Sequence, residues 1–304
     1  MTLTINPVEF AGRELKLTHL ERVLWPERNL TKADLLKYYA EAAPALLPHL
    51  HRRPLTVTRH PQGIRGQSFY QKNTPDYAPE WIERWAVEGD ARTIHYPLCE
   101  EPATLLWFGN QAAIGLHPWL STTAQPAQPD ILVFDLDPAD GATFAQVRRV
   151  AALVRICLDR LGLNGFPKLS GATGVHIYVP IAPDYPYRVV AAFAGRIGEA
   201  IVAAAPKDAT NLRRVRERTG RVYVDHLQNL PGKTIAAPFS VRPLPGAPVS
   251  MPVTWDEIDC LEPDAFKLPE AIDEVRRRAP LFAPVLQQRQ SLAAALRAVG
   301  VERE

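Results

Sequence analysis

Two aspartates stand at the end of an apolar run and are separated by one residue. The run ILVF, residues 131–134, continues directly into Asp135, Leu136 and Asp137. If the run is a β-strand, both carboxylates point to the same face, because side chains two residues apart share a side. Neighbouring acids repel unless a cation neutralises them, so the pair predicts a site for Mg²⁺ or Mn²⁺. A polar strand exit is the simpler alternative, since a lone Asp-x-Asp is a common pattern.

A third carboxylate lies in another apolar stretch. Asp225 belongs to RVYVDH, residues 221–226. An acid among Val and Tyr is costly unless a positive group faces it. If this strand lies beside the first, three carboxylates converge and can hold two metal ions, as two-metal nucleotidyl transfer requires. An ordinary ion pair with Arg221 or Arg242 is the alternative.

A small turn with spaced glycines, SGATGVH at residues 170–176, leads into a strand. Backbone N–H groups of such a turn can bind phosphate, with the hydroxyls of Ser170 and Thr173 as further donors. Lys168 adds positive charge, whereas His176 is equally explained as a hydrogen-bonded core residue. Neither G-x-G-x-x-G nor the Walker motif occurs, so a nucleoside triphosphate is favoured over a dinucleotide cofactor.

Basic and aromatic residues indicate a further type of ligand. Between residues 207 and 221, six basic residues accompany two acids, as in a solvated helix face or a contact with a phosphate backbone. The pairs Phe69-Tyr70, followed by Lys72, and Trp107-Phe108 are suited to stacking on a base, although most aromatic residues belong to cores.

Composition restricts the protein class. The chain has 304 residues, 46% hydrophobic, with a formal net charge of +2, which excludes an intrinsically disordered protein. No apolar run is long enough to span a membrane. The three cysteines are far apart, which argues against a disulfide framework or a thiolate zinc site and favours a reducing cytoplasm.

Caps and periodicity predict the elements that position these residues. Thr31 with Asp34, and Thr143 with Gln146, mark helix N-termini. The predicted helices cover residues 31–47, 143–162 and 187–205, with a charged helical tail on the outside from about 263. The predicted strands cover residues 55–59, 131–138, 175–181, 221–227 and 234–241, the last two as an antiparallel pair, and residues 61–79 form a loop with one short strand. The polar stretch 121–130 is the predicted internal boundary. This order indicates an α+β (mixed α/β) fold.

In combination, these motifs resemble the polymerase domain of the ATP-dependent DNA ligases of bacterial non-homologous end joining, in the archaeo-eukaryotic primase superfamily. The resemblance is carried by LTHLERVLWP (17–26), FYQK (69–72), GLHPW (115–119), DLDP (135–138), SGATGVH (170–176), DHLQN (225–229), SVR (240–242) and PGAPV (245–249). It implies a primase-like core of sheets flanked by helices, in one domain or in two packed parts, residues 1–125 and 126–304. No ligase or phosphoesterase segment follows, so a stand-alone or excised polymerase is expected.

The resemblance also implies roles for individual residues. Asp135, Asp137 and Asp225 are the expected catalytic carboxylates for two divalent ions, Mn²⁺ or Mg²⁺. The expected nucleotide contacts are His117, Lys168, Ser170, His176, Gln228 and Arg242, with Phe69 and Tyr70 packing on a base. A downstream 5′-phosphate is expected at His19, Arg22 and Lys32. The chain departs from the family at Thr173, where Lys is usual, and at His19 and Arg22, where Asn and Lys are usual; histidine makes that contact pH-sensitive.

The function implied by the resemblance is template-directed nucleotidyl transfer. Such an enzyme adds nucleotides, preferably ribonucleotides, to primer 3′ ends at gaps or double-strand breaks. The expected partners are primer–template DNA with a gap or a 5′-phosphate, ribo- and deoxynucleoside triphosphates, Ku and a separate DNA ligase, in the nucleoid-associated cytoplasm and away from membranes. The alternatives are a primase-polymerase that starts chains de novo, a catalytically weak DNA-end-binding module, and a metal-dependent nuclease.

Overall fold

The computed structural model describes residues 5–89 and 92–303 and combines helices with several small sheets. The α-helices in the described residues are α1 Lys32–Leu46, α2 Pro102–Asn110, α3 Phe144–Arg160, α4 Tyr187–Ala204, α5 Ala271–Gln287 and α6 Ala293–Val299. The strands are β1 Ile5–Phe10, β2 Arg13–Thr18, β3 Val23–Trp25, β4 Leu30–Thr31, β5 Leu55–Arg59, β6 Phe69–Gln71, β7 Arg84–Val87, β8 Ile94–Pro97, β9 Ala113–Pro118, β10 Ile131–Pro138, β11 Phe166–Leu169, β12 Val175–Pro180, β13 Ala209–Thr210 and β14 Val222–Asp225. Among these strands, β7 and β8, β1 and β2, and β3 and β4 each form a two-stranded sheet.

The chain divides into two compact units. The first unit comprises Met1–Trp119, Ala236–Ser250 and Phe266–Arg277, and the second comprises Leu120–Ile235, Met251–Ala265 and Arg278–Glu304. The first boundary falls at the start of the polar stretch that marked a boundary in the sequence. The division into residues 1–125 and 126–304 did not predict that two later segments, Ala236–Ser250 and Phe266–Arg277, belong to the first unit. Both segments lie far from residue 119 in the chain.

The second unit is built around a five-stranded sheet with the order β11-β12-β10-β14-β13. The central strand β10 runs antiparallel to β12 and to β14, whereas β13 is parallel to β14. Strand β10 is fully buried from Ile131 to Phe134 and then opens towards solvent, so that Asp135 is partly buried and Asp137 is exposed. The sheet therefore carries its acids at the point where burial ends.

The first unit contains a three-stranded antiparallel sheet with the order β6-β5-β9. Helix α1 packs on this sheet and on α2: the Tyr39 hydroxyl donates to Ala113 O and Ile114 O, both at 2.9 Å. Gly109 of α2 allows the close approach of the two helices, since a Cβ there would lie 2.9 Å from Leu36. Within the described residues, no helix is both long and apolar enough to cross a membrane.

Both predicted helix caps are present. Thr31 and Asp34 form a reciprocal capping box at the start of α1, and Thr143 and Gln146 form another at α3. Each box satisfies N–H groups that the first helical turn leaves without a partner. The helices at 31–47, 143–162 and 187–205 and the strands at 55–59, 131–138 and 175–181 are confirmed to within about two residues.

The predicted antiparallel pair of residues 221–227 and 234–241 is wrong. The first of these segments is β14, which pairs with β10 and β13, and residues 234–241 form no strand. Pro238 has no N–H to donate, and Phe239 has a φ of +65°, which breaks an extended conformation. Instead, Ala237 N–H donates to Leu116 O at 2.9 Å, and Ser240 Oγ accepts from Leu116 N–H. The segment thereby provides hydrogen-bond partners for the backbone of Leu116 on the edge of β9 that does not pair with β5.

The charged tail is helical but does not simply cover the outside. Phe282 and Val285 of α5 are 1% exposed and belong to a core cluster with Val133 and Tyr178. Arg278 is also buried and makes two hydrogen bonds to the carboxylate of Glu257, which lower the pKa of that carboxyl to about 2. Arg276 and Arg277 lie on the exposed side of α5, whereas Phe282 and Val285 lie on its buried side. The many charged residues in the sequence therefore made an amphipathic helix look fully exposed.

Candidate active site

The predicted carboxylates lie on neighbouring strands of the second unit. Asp135 is paired with Asp225 on one side and with His176 on the other, and His176 is paired with Lys168. Paired residues of an antiparallel ladder point to the same face, so these four side chains form one row across four strands. Asp137, two residues along β10, shares that face. The strand of Asp225 thus lies beside that of Asp135, which is the condition under which the three carboxylates could converge.

The row contains one close histidine–carboxylate contact, and Asp225 at its end accepts two hydrogen bonds. His176 Nε2 lies 3.3 Å from Asp135 Oδ1, and both side chains are largely buried. Asp225 Oδ1 accepts from the Tyr223 hydroxyl at 3.1 Å and from Leu227 N–H at 2.9 Å. Three carboxylates supply the oxygen donors that Mg²⁺ and Mn²⁺ take, so the chemistry of the donor set fits a divalent ion. As arranged, however, no group of three or more His, Cys, Asp or Glu side chains among residues 5–89 and 92–303 is close enough to hold one.

Tyr223 links the acids to the basic segment that follows α4. Burial and the neighbouring charge of Asp225 raise the pKa of Tyr223 to about 12, which keeps its hydroxyl a donor. The guanidinium carbon of Arg218 lies 3.4 Å from the centre of the Tyr223 ring. A cavity of about 450 Å³ opens here, and Asp137, Thr173, Arg216, Arg218 and Tyr223 are among its lining residues. The basic segment, residues 207–221, contains a short 3₁₀ helix at Val215–Glu217 and does not form the face of an α-helix.

The glycine-spaced turn is held together by its own serine. Ser170 Oγ accepts from the N–H groups of Ala172 at 3.1 Å and Gly174 at 3.0 Å. Two N–H groups that the sequence suggested as phosphate donors are therefore engaged within the turn. A Cβ at residue 174 would clash with the carbonyl oxygen of Leu136, so glycine is required where the turn meets β10.

Lys168 is more deeply placed than its predicted role suggests. Its side chain is fully buried, and its ammonium lies 5.6 Å from the centre of the Tyr178 ring. Since Lys168 is paired with His176, it brings a positive charge to the same face of the sheet as the carboxylates. Its contact with a triphosphate stays a prediction.

Asn229 is a positioning residue that the sequence did not single out. It is fully buried; its Oδ1 accepts from Val133 N–H and its Nδ2 donates to Val133 O, both at 2.8 Å. Because β14 ends at Asp225, this amide replaces the next strand residue beside β10. The neighbouring Gln228 donates to Thr234 O instead. An amide four residues after a strand-ending acid, directly before Leu230, is the signal that could have revealed it.

In the first unit, His117 and Tyr70 share one face of the three-stranded sheet. Their ring centres are 6.1 Å apart, and their strand partners are Thr56 and Thr58 of β5. Gly115 makes room for the imidazole, since a Cβ at that position would lie 2.6 Å from His117 Nε2. Arg242 is half-buried, and its backbone N–H donates to Pro248 O at 2.7 Å.

The aromatic residues proposed for base stacking divide into two groups. Phe69 and Tyr70 are 46% and 71% exposed, as stacking on a ligand requires. Trp107 and Phe108 are buried in α2, so the expectation that they stack on a base is wrong. They lie on a helix that packs against the core, where large apolar rings are most stable.

The residues expected to bind a 5′-phosphate are brought together in the first unit. Arg22 N–H donates to His19 O, and Lys32 N–H donates to Arg22 O. Lys32 is 3% exposed, and its ammonium donates to Asn110 O at 3.0 Å and to Asn110 Oδ1 at 3.2 Å. Burial, with repulsion from Arg22, lowers the pKa of Lys32 to about 8. The Arg22 guanidinium donates to Pro61 O at 2.6 Å.

A model of the LigD primase-polymerase domain matches residues 31–282, which is most of the chain. The chain belongs to this family. The bifunctional non-homologous end joining protein LigD of Bacillus subtilis is 34% identical over 272 residues, which are 88% of this chain and 44% of that protein. The multifunctional LigD of Mycolicibacterium smegmatis is 33% identical over 273 residues, which are 89% of this chain and 36% of that protein. The chain thus spans less than half the length of these relatives.

The same family accounts for the fold. The structure is similar to that of the polymerase domain of Mycobacterium tuberculosis Ligase D in complex with DNA, with a TM-score of 0.83 and 33% identity. The match covers 90% of this chain and 99% of that one. The predicted family and fold class are therefore confirmed.

Within this LigD primase-polymerase fold, the predicted site residues divide between the two units. The second unit carries Asp135, Asp137, Asp225, Lys168, Ser170, His176 and Gln228, and the first carries His117, Arg242, Phe69, Tyr70, His19, Arg22 and Lys32. The acids and the triphosphate motif thus share one sheet, whereas the expected base and 5′-phosphate contacts share the other unit. Thr173 is exposed at the cavity beside Asp137, where Arg216 supplies a positive charge.

Proposed function

We propose that this chain is a template-directed nucleotidyltransferase of DNA repair that extends primer 3′ ends, preferably with ribonucleotides, at gaps or double-strand breaks in non-homologous end joining. The observation that carries the proposal is the row of Asp135, Asp225 and His176 with Asp137 on the same face, in a chain of the LigD primase-polymerase family. The resemblance to a polymerase domain in complex with DNA supports a nucleic-acid substrate.

Asp135, Asp137 and Asp225 would hold two divalent cations, Mn²⁺ or Mg²⁺. When bound, such ions lower the pKa of the primer 3′-hydroxyl and offset the charge of the triphosphate. The chain itself orients these ligands: His176 fixes Asp135, and the turn closed by Asn229 fixes Asp225. In the reaction, the primer 3′-oxygen attacks the α-phosphorus in line, and pyrophosphate leaves.

Other residues of the chain would bind and orient the substrates. His117 and Tyr70 present an imidazole and an exposed ring on one face, which suits the ribose and base of the incoming nucleotide. Gln228 and the turn of Ser170 are the phosphate contacts proposed in the second unit, and Arg242 is the one proposed in the first unit. His19, Arg22 and Lys32 would bind the 5′-phosphate across a gap, and Ku and a separate DNA ligase are the proposed protein partners.

The deciding experiment is primer extension on a gapped duplex with Mn²⁺, comparing the unmodified chain with Asp137→Asn. Removal of one carboxylate charge is expected to lower the extension rate at least about a thousandfold, because the site would lose one of the three carboxylates that would hold the ions. DNA affinity, measured by fluorescence anisotropy without divalent ions, should change less than about threefold. Asp256→Asn is the matched control, since that carboxylate is 94% exposed in the same unit. Extension by Asp137→Asn at a tenth of the normal rate or more would contradict the site.

The same assay separates the finer parts of the proposal. Extension that prefers ribonucleotides and increases with a downstream 5′-phosphate supports end joining. Extension indifferent to the 5′-phosphate supports a general polymerase, and synthesis without a primer supports a primase. Shortening of the labelled strand without nucleotides would indicate a nuclease.

A further inference from the structure

Arg59, at the end of β5, organises an exposed surface of the first unit. Its guanidinium donates to Gln111 O at 2.9 Å, Gln111 Oε1 at 3.2 Å, Gln71 Oε1 at 2.9 Å and the Tyr77 hydroxyl at 2.8 Å. All of these acceptors are neutral, so the positive charge of Arg59 is not offset by them. The guanidinium carbon also lies 5.3 Å from the centre of the Phe69 ring. Arg59 therefore fixes two aromatic residues and leaves a charge beside them.

Tyr77 is held rigidly although it is 62% exposed. Its hydroxyl is fixed by Arg59 and also lies 3.4 Å from Gln111 Oε1, and its ring centre is 6.4 Å from that of the buried Trp107. An aromatic side chain that is fixed before binding loses little conformational entropy when a flat ligand stacks on it. Exposed rings next to a cation are the surface that single-stranded nucleic acid uses for stacking.

This surface lies on the opposite face of the sheet from the expected nucleotide contacts. Phe69 is paired with Arg59, and Tyr70 is paired with Thr58. Successive residues of a strand point to opposite sides, so Tyr70 lies with His117 while Phe69 lies with Arg59 and Tyr77. Strand β6 is also an edge strand of its sheet. A single strand that crosses this edge can therefore place neighbouring bases on both faces.

We propose that Tyr77, positioned by Arg59 and accompanied by Phe69, stacks on an unpaired base of the single-stranded template, on the face opposite to Tyr70 and His117. This inference rests on the proposed function, which supplies the gapped duplex whose template strand Tyr77 would bind. It adds Tyr77 to the residues proposed to contact DNA. Tyr77 contacts the base, and Arg59 is a positioning residue.

The test measures stacking without catalysis. The full chain is mixed with a duplex containing a three-nucleotide gap and 2-aminopurine at each unpaired template position in turn, with EDTA and without nucleotides. Tyr77→Ala is expected to weaken binding of the gapped duplex about fivefold or more and to relieve the quenching of one 2-aminopurine. Tyr77→Phe keeps the ring but loses the hydrogen bond from Arg59, so it should weaken binding less than Tyr77→Ala does and relieve part of the quenching. Ile156→Ala, which removes an exposed apolar side chain elsewhere, is the matched control.

A nicked duplex, which has no unpaired template base, is the second arm. Tyr77→Ala should bind the nicked duplex as the unmodified chain does. On the gapped duplex, Arg59→Lys should relieve the same 2-aminopurine quenching, because lysine keeps the charge but lacks the planar fork of arginine. Equal affinity and quenching for Tyr77→Ala and the unmodified chain on gapped DNA would overturn the inference, as would an equal loss on nicked DNA. Tyr77-dependent stacking by a chain that extends no primer would overturn the proposed function alone.

Discussion

At the scale of single residues, the surroundings of each charged group determine what it can do. Lys32 and Lys168 are both buried lysines, but Lys32 donates to the carbonyl oxygens of Asn110, whereas Lys168 faces the Tyr178 ring on the sheet that carries the acids. Arg22 lies close enough to Lys32 to lower its pKa further. The charge of Lys32 therefore changes within the pH range of ordinary assays, which leads to the first prediction.

The preference for a downstream 5′-phosphate over a 5′-hydroxyl should decrease as the pH rises from 7 to 9. The pKa of Lys32 is lowered to about 8, so its ammonium is charged below that pH and becomes neutral above it. Loss of one charged hydrogen bond is expected to reduce the preference about tenfold. The measurement is the ratio of binding constants for the two ends at each pH. Lys32→Arg should keep a preference for the 5′-phosphate that does not change with pH. If Lys32→Met showed the same pH dependence of this preference as the unmodified chain, the assignment of Lys32 would be contradicted.

Gly115→Ala should weaken nucleotide binding about tenfold by displacing His117. The added Cβ would clash with Thr58 Oγ1 and lie 2.6 Å from His117 Nε2, which is closer than real Cβ contacts. Nucleotide affinity can be measured by calorimetry for Gly115→Ala, His117→Ala and the double variant. If glycine acts through the imidazole, the double variant should bind no worse than His117→Ala, because coupled residues are not additive. Additive losses would refute the link.

At the scale of elements, the register of β10 with β14 and β12 creates the candidate site. The register places Asp135 opposite Asp225 and His176, and a shift by one residue would turn one acid to the other face. The turn after β14 fixes this register through Asn229, whose amide makes both hydrogen bonds to the backbone of Val133.

Asn229→Ala should lower the free energy of unfolding by about 2–4 kcal/mol, because two buried backbone groups of Val133 lose their partners. The measurement is urea unfolding followed by circular dichroism. Asn164→Ala, an exposed amide of the same unit with one long side-chain hydrogen bond to Gln288, should change it by less than about 0.5 kcal/mol. A similar small change in Asn229→Ala would show that the amide does not support β10.

At the scale of the whole molecule, neither unit is a continuous stretch of chain. The first unit takes Ala236–Ser250 and Phe266–Arg277 from the later half. These segments provide specific partners: Phe239 O accepts from the Tyr38 hydroxyl at 2.7 Å, and Arg276 forms an ion pair with Glu41 at 2.7 Å. The chain must therefore be synthesised to about residue 277 before the first unit can be completed.

A fragment of residues 1–119 should not fold cooperatively. It would leave the Tyr38 hydroxyl buried without its acceptor and the β9 backbone without Ala237 and Ser240. Near-ultraviolet circular dichroism and thermal melting should show no fixed tertiary structure in the fragment, while the full chain melts cooperatively. A cooperative melt of the fragment would contradict the discontinuous unit.

The sequence alone determined the features that depend on neighbouring residues. The capping boxes of Thr31 and Thr143 join residues three apart, and the alternation of β10 places Asp135 and Asp137 on one face. Family motifs then gave the family and the fold class, which the comparisons confirmed. Such features are readable because both partners lie within one turn or one strand.

Only the tertiary structure decided which distant segments meet. It paired Asp225 with Asp135, buried Lys168, and separated Phe69 from Tyr70 by placing them on opposite faces of a sheet. It also turned residues 234–241 away from the expected hairpin, so that Ala237 satisfies the backbone of β9. Every buried backbone donor and acceptor needs a partner, and the nearest one in space is often far away in the chain.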